Sequence, residues 1–172
     1  MKIIAIAAVG KNGVIAKGQD LPWNIPEDMK FFRETTRDQV VVMGRKTFQA
    51  LGQAMPKREN AVLTRDANFA APGVKVFSQI ETAIQFYRAE KTCAGKILFI
   101  IGGAEIYKLA IPYLDEIWLT EIDSEFEGDV FYPDYHAGKF QHREFVLVEK
   151  KPQLDQNSPY QYFFVKYARN MP

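Results

Sequence analysis

VVVMGRKTF, residues 40–48, decides the fold. Three valines and a methionine make an apolar run of strand length, a glycine ends it, and Arg-Lys-Thr opens a segment of helical character. FIIGGAEIY, residues 99–107, repeats the arrangement. A buried strand that passes through glycine into a helix is half of a crossover, and crossovers favour parallel strands covered on both faces.

Working outward, apolar runs of strand length recur at residues 3–9, 39–43, 60–63, 74–77, 96–101 and 116–122. Helix-like stretches fall at 26–36, opened by a proline suited to a first helical position, and at 45–51, 80–90 and 104–113. The last third changes character. REFVLVEK and YQYFFVKY are aromatic and β-branched runs joined by the polar KPQLDQNSP, which predicts an antiparallel hairpin. The expectation is an α/β fold in one domain over residues 1–172: a mostly parallel sheet with an antiparallel C-terminal edge, flanked by four helices. Segments 10–22 and 125–136, rich in glycine, proline and acids, read as surface loops.

Composition narrows the function. With 172 residues, 47% hydrophobic and 25% charged, folding buries roughly 70% of the extended chain's surface. The 22 basic and 21 acidic residues nearly cancel and form no long run, so nothing marks a nucleic-acid or anionic-membrane partner. Small neutral or locally paired ligands fit better. Cys93 is the single cysteine, without a disulfide partner or a neighbour at metal-ligand spacing, so no metal and a reducing cytoplasm are expected. The opening MKIIAIAAVGKNG carries a lysine, a short apolar run and an Ala-Ile-Ala triplet. Its run at 3–9 is at the lower limit for a signal peptide and reads as a buried strand. No segment approaches membrane-spanning length.

At each strand–glycine–helix junction, free helix N–H groups and the positive dipole end suit an anion such as phosphate. Gly44 is followed by Arg45, Lys46 and Thr47, two cations and a hydroxyl, while Gly102 and Gly103 admit close backbone approach. Two such junctions in one sheet suit a dinucleotide, although glycines at these turns are also ordinary in α/β proteins. In AVLTRD, Thr64 and Arg65 follow a strand and suit an extra phosphate.

LPWNIPEDMKFF, residues 21–32, places Asp28 in the first turn of an apolar helix, on one face with Phe32 and next to Met29. It reads either as a first-turn acid favoured by the dipole or as a buried acid meeting something polar. Burial raises its pKa and the helix end lowers it, two opposed effects. The only histidines, His136 and His142, sit in no triad or metal context, which leaves Asp28 as the proton-handling candidate. Tyr107 projects from the second glycine junction.

In order, LPWNIPEDMKFF, VVMGRKTF, PKRENAVLTR, IIGGAEIY and WLTEIDSEFEGDVFYP resemble the motifs of dihydrofolate reductase, and the resemblance runs from about residue 3 to 167. It implies an eight-stranded α/β fold and reduction of dihydrofolate to tetrahydrofolate by NADPH, hydride going to pterin C6 and a proton to N5. It further implies a cytoplasmic monomer of one-carbon metabolism, a member of a family that antifolates target.

On the substrate side, the resemblance makes Asp28 the acid that pairs with the pterin's amino and ring N–H groups. Phe32 and Leu51 flank the pterin and benzoyl groups, and Ile6, Ala8 and Ile101 line the pocket. Arg58 takes the α-carboxylate of the glutamate tail. Thr120 hydrogen-bonds the acid, and Trp23, with Leu21 beside it among the catalytic candidates, stands near an ordered water.

On the cofactor side, Arg45, Thr64 and Arg65 match the surroundings of the 2′-phosphate. Gly44, Lys46, Thr47 and the Gly102–Gly103 turn with Ala104, Glu105 and Ile106 match the diphosphate grip. Ala8, Ile15 and Tyr107 match the surroundings of the nicotinamide. Residues 10–25 match a mobile loop whose closure excludes water. Three positions depart from the pattern. Ala16 replaces a common glycine in the loop expected to meet Asp129 through a backbone amide, and Ser78 and Glu105 stand where some relatives are basic. The resemblance admits two other readings: the riboflavin-pathway pyrimidine reductase of the same fold, and a binding module for NADPH or folate without turnover. Arg58 and the acid helix argue against the first.

Overall fold

The computed structural model describes residues 1–171. In chain order the strands are β1 (Ile3–Gly10), β2 (Val14–Ala16), β3 (Val40–Gly44), β4 (Glu59–Leu63), β5 (Val74–Phe77), β6 (Leu98–Ile100), β7 (Glu116–Ile122), β8 (Val130–Phe131), β9 (Tyr135–His136), β10 (Lys139–Phe140), β11 (Phe145–Gln153) and β12 (Tyr162–Arg169). The helices are α1 (Pro26–Thr36), α2 (Arg45–Leu51), α3 (Ile80–Ala89) and α4 (Ala104–Ala110). Eight strands form one sheet in the order β11-β12-β7-β1-β6-β3-β4-β5. The pairings among β7, β1, β6, β3, β4 and β5 are all parallel, and β12 runs antiparallel to both of its neighbours.

The period of two along each strand sorts the core onto the two faces. Ile3, Ala5, Val40, Val42, Leu98 and Ile100 pack beneath Ala83, Ile84 and Tyr87 of α3 and Ile106 and Ala110 of α4. Ile4, Ile6, Val41, Met43 and Phe99 face the other way, with Phe48 of α2 and the half-buried Phe31 and Phe32 of α1. Burial on both faces is why the central strands read as continuous apolar runs.

Three expectations need correction. The connection KPQLDQNSP is shorter than it reads, because β11 continues through Pro152 to Gln153. β11 is an edge strand, so the missing N–H of Pro152 disrupts no second ladder. The stretch 104–113 is helix only to Ala110 and then tightens into a 3-10 turn, Ile111–Tyr113, around Pro112. The segments 10–22 and 125–136 are not simple surface loops. They pair with each other through β2 and β8, and Val14, Ile15, Tyr132 and Tyr135 are buried. No helix among the described residues is long and apolar enough to cross a membrane.

Candidate active site

Parallel register fixes where the candidate residues meet. Gly44 is level with Leu63, Val42 is level with Ile100, and Ala8 is level with Thr120. The junctions after β6, β3 and β4 therefore open side by side, with the ends of β1 and β7 continuing the row. Ligands of open parallel sheets bind at this carboxyl end of the strands.

Asp28 is the third residue of α1, behind Ile25 and Pro26, and its side chain caps nothing. Only 8% of it is exposed. Its Oδ1 accepts a 2.6 Å hydrogen bond from the Thr120 hydroxyl on β7, and among the described residues it has no cationic partner. Burial outweighs that hydrogen bond and raises the pKa above the ordinary aspartate value. The dipole reading thus gives way to the buried-acid reading. An ionised carboxylate offers about four acceptor sites, and the protein fills one. Nearby, the Trp23 indole N–H is buried without a protein acceptor. Trp23 and Ala8 pack with Ile25, Ile122, Tyr162 and Phe164, while Ile6, Phe32 and Ile101 belong to the cluster beneath α1 and α2.

The rest of α1 is less greasy than its sequence suggests. Its buried side chains are Asp28 and Thr36, whereas Met29 is 39% exposed. Thr36 donates to the Phe32 carbonyl at 2.9 Å and accepts from Arg58 Nε at 3.2 Å. Arg58 also donates to the carbonyls of Pro56, at 2.7 Å, and of Arg33. The guanidinium is thereby fixed beside the C-terminal turn of α1, with three of the five N–H donors of an arginine in use. Leu51, at the end of α2, stays 45% exposed, as does Leu21 at 47%.

The two glycine junctions touch. The Gly44 amide donates to the Gly102 carbonyl at 2.8 Å, and a Cβ on Gly44 would stand 3.0 Å from Ile106 Cγ1. Gly102 has φ of 121°, a conformation open to glycine, and its peptide bond to Gly103 is cis. A Cβ on Gly103 would approach the Thr47 hydroxyl at 3.6 Å. Around this contact stand Arg45, Lys46 and Thr47 at the start of α2, and Thr64 and Arg65 just past β4. Two hydroxyls, three cations and bare backbone fit an anionic nucleotide by donor chemistry. Ala104 and the exposed Glu105 open α4, and the buried Tyr107 donates its hydroxyl to the Ile6 carbonyl at 2.8 Å. Desolvation raises the Tyr107 pKa, so the group stays a neutral donor.

The 10–22 segment leaves the sheet at the end of β1 and pairs with the 125–136 segment. Gly18 donates its amide to Asp129 Oδ1 at 2.8 Å, and the Asp129 amide donates to the Ala16 carbonyl at 3.2 Å. The amide expected near Ala16 therefore comes from Gly18. Lys17 pairs with Glu127 at 3.1 Å, and Asn12 donates to the Phe126 carbonyl at 2.8 Å.

The family model described as dihydrofolate reductase matches residues 2–169. The chain belongs to the dihydrofolate reductase family. It is 43% identical to a dihydrofolate reductase type A13 of Escherichia coli over 141 residues, 82% of this chain and 83% of that protein. To the dihydrofolate reductase of Staphylococcus haemolyticus it is 37% identical over 169 residues, 98% of this chain and 96% of that one. Among solved structures, the dihydrofolate reductase of Enterococcus faecalis complexed with NADP(H) and RAB-propyl superposes with a TM-score of 0.86. That match has 32% identity over 99% of this chain and 97% of that one.

Several neighbours of the site carry no motif that marks them in the sequence. Phe31 stacks on Phe164 at 4.2 Å, and both line a small cavity with Ile6, Trp118 and Thr120. Phe31 follows Asp28 by three residues, a spacing that shares a helix face and could have marked it. Asp66 was the larger omission. It forms a 2.8 Å ion pair with Arg45, and its signal was its sign, an acid ending the otherwise cationic TRD.

Proposed function

We propose that this chain reduces 7,8-dihydrofolate to 5,6,7,8-tetrahydrofolate with NADPH. The observation that carries the reading is the buried Asp28 carboxylate, held by Thr120 and otherwise unpaired, in a chain of the dihydrofolate reductase family. In this reading its unfilled acceptor sites take the amino and ring N–H groups of the pterin, a paired donor edge suited to one carboxylate. Ile6, Ala8, Phe32, Leu51 and Ile101 supply apolar contact to the rings. Arg58, already oriented by Thr36, Pro56 and Arg33, takes the α-carboxylate of the glutamate tail.

Gly44, Lys46, Thr47 and the Gly102–Gly103 turn through Ile106 hold the diphosphate, with Ala104 and Glu105 on its flank. Arg45, Thr64 and Arg65 surround the 2′-phosphate, and Ala8, Ile15 and Tyr107 surround the nicotinamide. When bound, NADPH supplies the hydride. Asp28 orients the pterin and polarises it electrostatically, and solvent admitted beside Leu21 and Trp23 delivers the N5 proton. Pairing of the 10–22 segment with the 125–136 segment excludes the remaining water. The protein acts as a cytoplasmic monomer.

The test is nicotinamide absorbance on mixing the purified protein with NADPH and dihydrofolate. Dihydrofolate-dependent loss of absorbance is expected, slowed by about 10²–10³ in Asp28→Asn. Tight antifolate binding with no such loss would instead identify a binding module.

A further inference from the structure

The environment of Arg45 bears on which nucleotide the protein selects, given the reading above that Arg45, Thr64 and Arg65 surround the 2′-phosphate. Arg45 is not a free cation. Its Nη1 lies 2.8 Å from Asp66 Oδ2, and its guanidinium carbon lies 5.1 Å from the centre of the Phe69 ring. Asp66 is itself tied down. Its amide donates to the Thr64 hydroxyl at 3.1 Å, and its Oδ1 accepts from the Asn68 amide at 2.9 Å. Both carboxylate oxygens are thus engaged, one by a cation and one by the turn that follows β4.

Asp66 touches two of the three groups assigned to the phosphate, Arg45 through its carboxylate and Thr64 through its backbone amide, and it follows the third in sequence. Arg65, by contrast, is exposed and pairs with no acid among the described residues. A phosphate monoester carries between one and two negative charges at neutral pH. Brought beside Arg45, it meets a guanidinium whose charge is already offset and a carboxylate that repels it.

We infer that Asp66 is a specificity-determining residue that opposes the 2′-phosphate. It holds discrimination between adenosine nucleotides with and without that phosphate below what Arg45 and Arg65 alone would give.

Asp66→Asn removes the charge and keeps an oxygen for the Asn68 amide. Calorimetric titration with 2′,5′-ADP and with 5′-ADP isolates the 2′-phosphate without turnover. Asp66→Asn should bind 2′,5′-ADP about three- to fivefold more tightly, the range of a partly exposed charge pair, and leave 5′-ADP within about twofold. The gain should shrink as salt is raised. Arg45→Gln, run in parallel, should lose discrimination. If it does, yet Asp66→Asn binds 2′,5′-ADP no better than the native protein, the role of Asp66 is overturned and the phosphate site stands. If Arg45→Gln discriminates as well as the native chain, the placement of the phosphate fails and the inference with it. Asp66→Ser, which retains a hydroxyl acceptor, should give the same tightening and replaces Asn if that variant does not fold.

Discussion

Replacing Asp28 with asparagine should make the protein more stable at neutral pH while removing most of its turnover. The carboxylate is 8% exposed, has one hydrogen bond and faces no cation among the described residues, so its charge is carried at a cost to folding. Asparagine keeps an oxygen to accept from Thr120 and carries no charge. Because the folded pKa is raised above 3.8, the folded chain holds its proton to higher pH than the unfolded one. Below the unfolded value both states are protonated and the native acid costs nothing. As pH rises through the interval up to the folded value stability falls, and above it the penalty is constant. Relief of a destabilised site group is worth about 1 kcal/mol, or about 2–4 °C in a chain of this size. Melting temperatures of both proteins across pH should therefore coincide in acid and separate towards neutrality. Loss of one preorganised electrostatic group should lower kcat by about 10²–10³, with NADPH binding nearly unchanged. A variant less stable than the native protein at neutral pH, or one with native turnover, refutes the reasoning.

Thr120→Val removes the 2.6 Å donor to the carboxylate, so the Asp28 pKa should rise further, read by NMR titration. The variant should lose about 1.5–3 kcal/mol at neutral pH and much less in acid, where no charge needs the donor. Arg58→Leu should raise the KM for dihydrofolate about 10- to 100-fold at nearly constant kcat, the cost of a charge-assisted contact. A substrate lacking the glutamate should not distinguish the variant from the native enzyme, and an equal loss with it would sink the assignment. Gly128→Ala would drive a Cβ into Val14 and to 2.6 Å from the Ala16 carbonyl oxygen. Amide exchange at residues 14–18 should quicken while the central strands keep their protection, and unchanged exchange would show that the 10–22 segment is not held there.

The strand–glycine–helix junctions were legible because each boundary is set locally. The bounds of α1 and α2 match expectation, since Pro26 opens one and Gly44 and Gly52 bracket the other. The pairing of β2 with β8 was not, because each is two or three residues long and its partner lies more than a hundred positions away. The same holds for the Arg45–Asp66 pair, which exists only because β3 and β4 lie side by side in parallel. The sign of the Asp28 pKa shift depended on how far Thr120 offsets burial, a balance between two elements 92 residues apart.

Helix α1 inverts the usual logic of an amphipathic helix. Its buried side chains are polar, Asp28 and Thr36, and its aromatic pair, Phe31 and Phe32, is left half-covered. Folding alone does not favour that arrangement, because burying a lone carboxylate costs stability that an apolar residue would not. Asp28 lies at one end of the helix and Thr36 at the other, where it steadies Arg58. Eight residues at 1.5 Å each separate them by about 12 Å along the axis. An acid and an arginine at that spacing, with phenylalanines between, suit an elongated ligand that donates hydrogen bonds at one end, is flat in the middle and carries an anion at the other. A pterin joined through a benzoyl group to glutamate has that order of parts. A ribosylamino-pyrimidine phosphate is shorter and has no aromatic middle to set against Phe31 and Phe32, which is why the spacing along α1 favours the folate substrate.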